Sequence, residues 1–444
     1  MPDISAGRLA AADYGKNFSD VHPPLSAHEA VVESDRCYFC FDAPCTNACP
    51  TSIDIPLFIR KIGTGNVEGA AETIFASNIL GGMCARVCPT ETLCEEACVR
   101  NVAEEKPVRI GLLQRHSTDH YLERHSAYGI RAPATGRKVA VVGGGPSGLA
   151  CAHELALKGH DVTIFEARGK AGGLNEFGIA AYKATDDFAQ REVDFVLGVG
   201  GIAVESGKAL GRDFTLADLR SSYDAVFLGL GLQAVNALGV EGEESAGVVD
   251  AVRWIEDLRQ SQDKSAIEVG ARVVVIGGGM TAVDAAVQAK KLGADEVTIA
   301  YRRGPSEMGA SRYEQELAQV NGVRILHWVA PRQVVSEGNA VAAVDFERTA
   351  LDASGRLTGT GRSMRLAADQ VMKAIGQTFV SGPVESGETV ALDGGRIAVD
   401  GDMRTSLANV WAGGDCVRGG EDLTVQAVDH GKRAALSIHV SLSA

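Results

Sequence analysis

The chain has 444 residues, of which 45% are hydrophobic and 23% charged, and its formal net charge is −14. This length is too great for a single core and predicts two or three domains. The negative charge disfavours nucleic acid or an anionic membrane as a partner, because phosphate surfaces would repel it. No run approaches the roughly 20 apolar residues of a membrane span, and the start lacks the pattern of a signal peptide. We therefore expect an acidic, cytoplasmic enzyme.

Eight of the ten cysteines precede residue 100, in the runs CYFCFDAPCTNACP, from Cys37, and CARVCPTETLCEEAC, from Cys84. In a reducing cytoplasm such a cluster indicates metal ligands rather than disulfides. The first run has the spacing C-x2-C-x4-C-x3-C-P, close to the bacterial ferredoxin motif. Structural zinc would favour two C-x-x-C pairs, so the pattern favours iron–sulfur. Segments Pro56–Ile62 and Val67–Ser77 are predicted helices, which makes this part a small helical domain built around metal.

Further along, short β-branched runs alternate with glycines and amphipathic segments, as in a doubly wound α/β sheet. Strand Lys138–Val142 leads into the turn Gly143-Gly-Gly-Pro-Ser-Gly148 and a helix, and strand Asp161–Phe165 ends in Glu166. The glycines allow a pyrophosphate to approach the helix N-terminus, and the acid can bind the ribose hydroxyls of an adenosine. The segment Lys170–Leu174 offers bare backbone for a second pass along the same ligand.

A second glycine turn predicts a second nucleotide site. Strand Arg272–Ile276 precedes Gly277-Gly-Gly-Met-Thr-Ala282, and the next strand, Glu296–Ala300, is followed by Tyr301 and then by Arg302 and Arg303 instead of an acid. Two arginines at this place can clamp a 2′-phosphate, which favours NADP over NAD.

A third glycine cluster, Trp411-Ala-Gly-Gly-Asp415, follows another strand-like run near the end of the chain. In flavoproteins with two dinucleotide sites, an acid at this place holds the ribityl chain of FAD. Leu423–Ala427 is predicted to start a helix whose dipole would stabilise the anionic reduced ring. Cys416 and Cys151 are interpreted as packing residues rather than reactive thiols.

The predicted fold is a multidomain α plus α/β protein: a helical iron–sulfur domain followed by a doubly wound flavoprotein fold that binds FAD and NAD(P). Tyr223–Leu230 and Val371–Gly376 are the predicted strands at which the chain passes between the nucleotide domains. The predicted segments are 1–132 (clusters), 133–248 (FAD, first part), 249–370 (inserted NAD(P) domain) and 371–444 (FAD, second part). Residues 271–370 contain no cysteine, which excludes the thioredoxin-reductase arrangement with its redox C-x-x-C in the inserted domain.

Along nearly its whole length the sequence resembles the NAD(P)H-oxidising small subunit of bacterial dihydropyrimidine dehydrogenase. The resemblance is carried by CYFCFDAPCTNACPTSIDIPLFI, CARVCPTETLCEEAC, VRIGLLQRHSTDH, the two glycine turns, and WAGGDC with LTVQAVDHGK. The small subunit of glutamate synthase shares the architecture and is the nearest rival, whereas the run LLQRHSTDH around Gln114 is similar to the pyrimidine family.

The resemblance implies two [4Fe–4S] clusters and leaves Cys84 outside both. The ligands of the first cluster would be Cys37, Cys40, Cys45 and Cys98. Those of the second would be Cys49, Cys88, Cys94 and the side-chain amide of Gln114. Each cysteine run would then serve both clusters, and an amide ligand would alter the potential of the second.

The resemblance also implies cofactor contacts. For FAD they are Val87, Gly145, Pro146, Ser147, Gly148, Leu149, Glu166, Gly172, Gly173, Leu174, Lys183, Leu210, Gly414, Asp415 and Thr424. For the nicotinamide cofactor they are Gly278, Gly279, Met280, Thr281, Arg302, Arg303, Ala374, Ile375 and Gly376. Two departures stand out. The loop Gly178–Thr185 lacks the prolines that the family often has there, and Gly309 stands where the family can have an arginine, with Arg312 nearby. The second departure weakens the argument for NADPH and leaves NADH as the alternative.

The implied function is that of an electron-input subunit in a hetero-oligomer. NAD(P)H would deliver hydride to FAD, the clusters would carry single electrons, and an FMN-containing partner would reduce the 5,6-double bond of uracil or thymine. No general acid or base is expected on this chain, since the cofactors carry the chemistry. Two alternatives stay open: a glutamate synthase small subunit that feeds a large glutamine-dependent subunit, and a non-catalytic scaffold.

Overall fold

A computed structural model describes residues 2–385 and 389–443. These residues form two compact units. One contains residues 22–176, 186–233 and 379 onward, and the other contains residues 2–21, 177–185 and 234–378. We call them the cluster–flavin unit and the nicotinamide unit. No helix of the described residues is both long and apolar enough to cross a membrane.

The cluster–flavin unit begins with helices, as the sequence predicts. They are Ala27–Ser34, Pro44–Ala48, Ile55–Gly63, Val67–Ser77, Gly81–Val87, Val99–Glu104 and Ile110–Leu122, with a 3-10 turn at Thr90–Thr92. Short polar residues set two of the starts, because the side chain of Asp54 accepts a hydrogen bond from Leu57 N and that of Asn66 accepts one from Gly69 N. The predicted helix Val67–Ser77 has the same bounds in the structure.

The same unit contains a five-stranded parallel sheet. In spatial order its strands are Val410–Ala412, Ala225–Leu228, Lys138–Val142, Asp161–Glu166 and Ile202–Ser206. The helices that follow in this part are Pro146–Leu157, Leu174–Phe177, Phe188–Leu197, Leu216–Ser222, Gly382–Glu385 and Thr424–Ser443, and a small hairpin pairs Leu392–Asp393 with Arg396–Ile397. All strands of the large sheet end at the edge where the first glycine turn lies, the usual ligand edge of such folds.

The cluster helices and the flavin sheet share one hydrophobic core. Phe75 and Leu80 from the helices pack in the same cluster of buried side chains as Val139, Val141 and Leu149 from the first βα element. A further small core under the cysteines contains buried apolar side chains of the helical part only. The predicted division at residue 132 therefore separates two sequence patterns that fold together into one unit.

The nicotinamide unit contains the second five-stranded parallel sheet. In spatial order its strands are Arg324–His327, Glu296–Tyr301, Arg272–Gly277, Gln370–Ala374 and Val248–Asp250. Its helices are Ala11–Asn17, Ala251–Gln260, Met280–Lys291 and Arg312–Val320, with 3-10 turns at Lys264–Ala266 and Pro305–Glu307. The strand Gln370–Ala374 belongs to this sheet, so the predicted crossing strand there lies wholly within the nicotinamide unit.

Two features of this unit have no counterpart in the sequence-based prediction. A three-stranded antiparallel sheet is formed by Val329–Glu337, Ala340–Leu351 and Leu357–Ala367. Two short strands, Ala234–Val235 and Gln377–Thr378, pair antiparallel where the chain enters and leaves residues 234–378. The second feature pairs segments that are distant in sequence, and local patterns do not specify such partners.

The N-terminal segment departs from the predicted boundary of the cluster domain, 1–132. Strand Ile4–Ser5 pairs with Val269–Gly270, and Tyr14 and Phe18 are buried in the core of the nicotinamide unit. The physical reason is that two aromatic side chains, four residues apart, bury their apolar area there. Residues 2–21 thus belong to the nicotinamide unit, whereas residues 22–132 hold the cysteines.

Candidate functional site

The first glycine turn is held tightly at the start of helix Pro146–Leu157. A Cβ atom at position 148 would lie 1.9 Å from Gly143 O, so only glycine allows this approach. The helix begins after Gly145 with proline in its first turn and has no side-chain cap. Its first N–H groups are therefore suited to an anionic group such as a pyrophosphate.

The acid at the end of the second strand is oriented by backbone N–H groups. Glu166 Oε2 accepts a hydrogen bond from Gly144 N, and Oε1 accepts one from Arg168 N, both at 2.8 Å. Glu166 is 7% exposed. Each carboxylate oxygen has lone-pair capacity beyond one hydrogen bond, so a preoriented Glu166 can still accept from ribose hydroxyls.

The predicted second pass of backbone lies directly on the first glycine turn. Gly172 N donates to Gly144 O at 2.7 Å, and a Cβ at position 173 would be 2.7 Å from Gly145 Cα. Two glycine segments are therefore stacked backbone to backbone, and together they form a cradle without side chains next to a helix N-terminus.

The C-terminal glycine cluster completes this edge of the sheet. A Cβ at position 414 would lie 3.0 Å from Ser147 Oγ, and the Thr424 hydroxyl donates to Asn175 Oδ1 at 2.7 Å. Burial raises the pKa of Asp415 to about 6, with a further contribution from the charge of Asp422. Asp415 follows strand Val410–Ala412, where a carboxylate can accept from the hydroxyls of a ribityl chain.

The remaining predicted flavin contacts of this unit lie in several places. Leu149 is buried in the core beneath the turn, and Leu210 is buried on the other side with Ala140 and Val142. Val87 is the last residue of helix Gly81–Val87 and is partly exposed. Taken together, the glycine cradle, the oriented acid and the buried Asp415 form a donor set that fits FAD.

Lys183 lies in a buried ionic cluster of the nicotinamide unit. Its Nζ atom is 2.8 Å from Asp284 Oδ1 and 2.7 Å from Glu314 Oε1, and the Tyr182 hydroxyl donates to Asp284 at 3.1 Å. Burial opposes the charge, but the two carboxylates outweigh it and raise the pKa of Lys183 above its usual value. Because its ammonium is engaged in this way, the flavin contact of Lys183 stays a prediction.

The second glycine turn lies at the carboxyl edge of the nicotinamide sheet. Helix Met280–Lys291 begins after Gly279, where an added Cβ would meet no atom within 4 Å. Gly278 packs against the Tyr301 ring, and a Cβ there would be 2.4 Å from a ring carbon. Thr281 is in the first turn of this helix. The open backbone at position 279 fits the approach of a pyrophosphate.

Two further predicted segments reach the same edge. Ala374 ends the neighbouring strand, Gly376 has a φ of +90°, and Asn236 Nδ2 donates to Ile375 O at 3.2 Å. On the other side, Arg302 is exposed and its carbonyl accepts from the Thr349 hydroxyl at 2.7 Å.

Arg303 is partly exposed, and its carbonyl accepts from Trp328 N at 3.1 Å. The backbone of both arginines is thus fixed just after strand Glu296–Tyr301. Gly309 has no side chain and so supplies no positive charge, and a Cβ added at position 309 would lie 3.7 Å from Gly279 Cα. The two predicted arginines therefore follow directly after the strand that pairs with the one leading into the second glycine turn.

Cysteines from both runs line one cavity in the cluster–flavin unit. Its cysteine lining is Cys37, Cys40, Cys45 and Cys98. Apolar side chains such as Ile55, Ile59 and Val108 form the remaining wall. Burial raises the pKa of Cys45 to about 11, and neighbouring Cys37 and Cys98 contribute. Four thiols around one largely apolar cavity fit a [4Fe–4S] cluster, whose formation would replace the thiol protons.

A second group of cysteines lies beside the first. A hydrogen bond with Cys84 and then burial raise the pKa of Cys88, and nearby Cys94 and Cys49 raise it further. Gln114 is 8% exposed, and its Nε2 donates to Gly81 O at 2.7 Å. This contact engages the NH2 group and leaves Oε1 as the acceptor atom of the amide. Across residues 2–385 and 389–443, no three His, Cys, Asp or Glu side chains surround a point suited to a single ion.

Sequence patterns did not reveal Glu192 and Asn78, which hold the helix that leads to Cys88. Glu192 Oε1 accepts from Gly82 N at 2.8 Å and from Met83 N at 3.0 Å, and burial raises the pKa of Glu192 to about 8. Asp284 and Glu314 were also missed. The available signal for Asp284 was a lone charge on the buried, apolar helix MTAVDAAVQA.

The two cysteines interpreted as packing residues are buried. Cys151 and Cys416 are 0% exposed. Cys416 donates its thiol hydrogen to Gly413 O at 3.3 Å, and burial raises its pKa to about 12. The interpretation of both as packing residues is confirmed, since a reactive thiol needs access and a lowered pKa.

Comparison with known proteins agrees with this arrangement. The family described as dihydropyrimidine dehydrogenase domain II, 4Fe-4S cluster, matches residues 14–126, and the pyridine nucleotide-disulphide oxidoreductase family matches residues 137–431. The glutamate synthase [NADPH] small chain of Escherichia coli (strain K12) is 35% identical over 441 residues, which cover 94% of this chain and 92% of that protein.

The NAD-dependent dihydropyrimidine dehydrogenase subunit PreT of Escherichia coli (strain K12) is also 35% identical, over 427 residues that cover 96% of this chain and 97% of that protein. Among solved structures, FprA of Mycobacterium tuberculosis in complex with NADPH has a TM-score of 0.59 at 20% identity and covers 70% of this chain and 85% of its own. That likeness shows the fold. This chain belongs to the family that includes PreT and the glutamate synthase small chain, and it is an iron–sulfur flavoprotein oxidoreductase that uses a nicotinamide cofactor.

Proposed function

We propose that this chain is the electron-input subunit of a dihydropyrimidine dehydrogenase. Bound FAD would supply the means to take a hydride from a nicotinamide cofactor and to release electrons singly to iron–sulfur clusters. The partner would be an FMN-containing subunit that reduces uracil or thymine to the 5,6-dihydropyrimidine. The role of this chain's residues is to hold cofactors at fixed separations and to set their potentials.

The observation that carries the proposal is the shared core of the cluster helices and the flavin sheet. Phe75 and Leu80, beside the cysteine runs, are buried with Val141 and Leu149, beneath the first glycine turn. A rigid core between the two cofactor sites would keep their separation constant, as efficient electron transfer requires. The end of helix Gly81–Val87 supports the same interpretation. Its last residue, Val87, is a proposed flavin contact, and the next residue, Cys88, is a proposed cluster ligand.

We propose two [4Fe–4S] clusters with the ligand sets implied by the resemblance. The cavity lined by cysteines of both runs supports the first set. The orientation of the Gln114 amide supports the second, since its NH2 group is already engaged by Gly81 O. A full set would correspond to about eight iron atoms per chain.

We propose NADPH as the preferred nicotinamide cofactor. Arg302 and Arg303 supply positive charge at the end of strand Glu296–Tyr301, where the 2′-phosphate of an adenosine would lie. Gly309 in place of a family arginine reduces the expected preference, and NADH is the alternative.

A second candidate function is that of a glutamate synthase small subunit. Its specific support is the 35% identity to the Escherichia coli small chain over 94% of this chain, which equals the identity to PreT. In that case the electrons would go to a large glutamine-dependent subunit. The two candidates share every cofactor of this chain and differ in the partner.

Recovery of the native complex tests the proposal most directly. The tagged chain would be purified anaerobically from its own cells, and the co-purifying subunit examined for FMN and for uracil-dependent oxidation of NADPH. An FMN-containing partner that reduces uracil supports the proposal. A large amidotransferase partner with glutamine-dependent activity would contradict it and support the second candidate.

Electron entry is tested on the isolated chain. Anaerobic addition of NADPH or NADH should bleach the flavin absorbance, and the faster nucleotide identifies the preferred donor. An unbleached flavin with both nucleotides would contradict the role in electron input, whichever partner is found.

A further inference from the structure

Trp328 is held in a backbone conformation that large side chains rarely adopt. Its φ is +61°, in the left-handed region that is sterically disfavoured for L residues. A residue stays in this region only where its surroundings fix it there, and such strain is concentrated at functional sites. Trp328 directly follows strand Arg324–His327, at the same carboxyl edge of the nicotinamide sheet as the second glycine turn.

The backbone contacts of Trp328 lead to the arginine pair. Its N–H donates to Arg303 O at 3.1 Å, and its carbonyl accepts from Thr349 N at 3.0 Å. The Thr349 hydroxyl in turn donates to Arg302 O at 2.7 Å. The bend at Trp328 is therefore bonded to the carbonyls of both arginines, directly for Arg303 and through Thr349 for Arg302.

The indole of Trp328 covers the residue that follows the arginine pair. A Cβ added at Gly304 would lie 2.8 Å from Trp328 Cζ2 and 3.3 Å from Cε2, so the edge of the ring occupies the place of a side chain. Glu307 Oε2 closes the same space, 2.7 Å from that Cβ. Gly304 is buried, whereas Trp328 is partly exposed. The ring thus limits the movement of the backbone immediately after Arg303.

The side-chain ends of the arginine pair are available to an external anion. Within the described part of the chain, neither the Arg302 nor the Arg303 guanidinium makes a hydrogen bond or an ion pair. Two cations on a fixed backbone suit a phosphate, because guanidinium groups donate paired hydrogen bonds to its oxygens. How well they meet the phosphate then depends on what fixes their backbone.

We propose that Trp328 is a positioning residue for recognition of the 2′-phosphate of NADPH, because its bent backbone and its ring hold the segment that carries Arg302 and Arg303. The inference rests on the NADPH preference in the proposed function and names a residue that determines this preference. Trp328 acts through the arginines. Its ring should therefore matter for a nucleotide with a 2′-phosphate and not for one without it.

The test measures two dissociation constants by isothermal titration calorimetry on the chain with its FAD and clusters bound. The ligands are adenosine 2′,5′-bisphosphate and adenosine 5′-monophosphate, so the ratio of the constants reports recognition of the 2′-phosphate alone. Trp328→Gly removes the ring and keeps the left-handed backbone without steric cost. We expect its ratio to fall about tenfold, as for one weakened hydrogen bond to a charged group. Trp328→Phe keeps a flat ring over Gly304, and its ratio should stay near that of the unmodified protein.

Trp254→Ala is the matched control, because Trp254 is a buried tryptophan in the core of the same unit. It should lower the thermal midpoint of unfolding and leave the ratio unchanged, which separates loss of stability from loss of positioning. An unchanged ratio in Trp328→Gly, or an equal fall in Trp328→Phe, would overturn the inference and leave the role of the arginines intact. If the unmodified protein binds both ligands equally, the NADPH preference fails and the inference fails with it.

Discussion

Glu166 Oε2 accepts a hydrogen bond from Gly144 N at 2.8 Å and thereby joins the end of the second strand to the first glycine turn. The contact orders the turn and the acid before a dinucleotide arrives. Such preorganisation strengthens binding, since less freedom is lost when the ligand binds.

Glu166→Gln should weaken FAD binding about 10- to 100-fold. In the unmodified protein two backbone N–H groups donate to the Glu166 carboxylate, and the variant would present the NH2 group of an amide to one of them. A hydrogen bond to a charged group contributes roughly 1.5–3 kcal/mol. The measurement is the FAD dissociation constant of the apoflavoprotein by fluorescence quenching. Glu205→Gln, at an exposed position of the adjacent strand, serves as the control, and equal affinities of the two variants would contradict the assigned role.

Gly431→Ala should destabilise the flavin part of the chain. The C-terminal helix Thr424–Ser443 packs on helix Pro146–Leu157, and a Cβ at position 431 would lie 2.1 Å from Ser147 O. The helices must separate, at a cost of roughly 1–3 kcal/mol in the free energy of unfolding. Denaturant unfolding and FAD retention after gel filtration measure the effect. Gly401→Ala has no atom within 4 Å of its new Cβ and should change neither quantity.

Arg302→Ala and Arg303→Ala together should lower kcat/KM for NADPH about 10- to 100-fold and leave NADH nearly unchanged. A bidentate guanidinium–phosphate contact is strong, whereas NADH has no 2′-phosphate to lose. Rates of anaerobic flavin bleaching with the two nucleotides provide the comparison. Arg324→Ala, exposed in the next strand, controls for net charge. A parallel decrease for both nucleotides would show that the arginines do not read the phosphate.

Lys183→Met should destabilise the nicotinamide unit by about 3–5 kcal/mol, because it leaves Asp284 and Glu314 buried without their cation. Since the pKa of folded Lys183 is raised above its unfolded value, this stability is fully present below the unfolded pKa of about 10.4 and is constant between pH 6 and 9. Unfolding of the variant at several pH values tests both statements. Lys16→Met, at an exposed site of the same unit, should have little effect.

The same cluster can be checked by a second substitution. Adding Glu314→Gln to Lys183→Met removes one of the two orphaned charges and should restore part of the lost stability. Additive destabilisation by the two changes would contradict a direct pairing of Lys183 with Glu314.

Acid should destabilise the cluster–flavin unit through His153. Burial lowers the pKa of His153 to about 4, and its Nε2 contacts Tyr128 O at 3.1 Å. A histidine whose pKa is lower in the folded than in the unfolded state stabilises the fold fully above its unfolded pKa of about 6.5. This stability is lost as the pH falls toward 4, and the loss in the free energy of unfolding is about 3 kcal/mol here.

His153→Gln keeps an N–H donor and cannot ionise, so its thermal midpoint should fall less between pH 6.5 and 4.5 than that of the unmodified protein. Tryptophan fluorescence during heating follows the transition. His28→Gln, on the exposed face of helix Ala27–Ser34, should keep the original pH profile; an unchanged profile in His153→Gln would refute the assignment.

Much of the fold could be read from local patterns in the sequence. The strands Lys138–Val142 and Arg272–Gly277, each with its glycine turn, lie where β-branched runs and glycines predict them. These signals are short-range, since pleat alternation, turn chemistry and helix periodicity depend on neighbouring residues. Cysteine spacing likewise indicated iron–sulfur chemistry, although the grouping of Cys98 with the first run came from resemblance rather than spacing.

Only the tertiary structure decided which distant segments meet. It packs the cluster helices and the flavin sheet on one core, assigns residues 2–21 to the nicotinamide unit, and surrounds Lys183 with Asp284 and Glu314. It also directs Asn78 toward Cys84. Each of these contacts joins side chains whose local sequence is compatible with many different folds. Burial selects among those folds, because a charge or an amide taken from water must find its partner wherever the chain brings one.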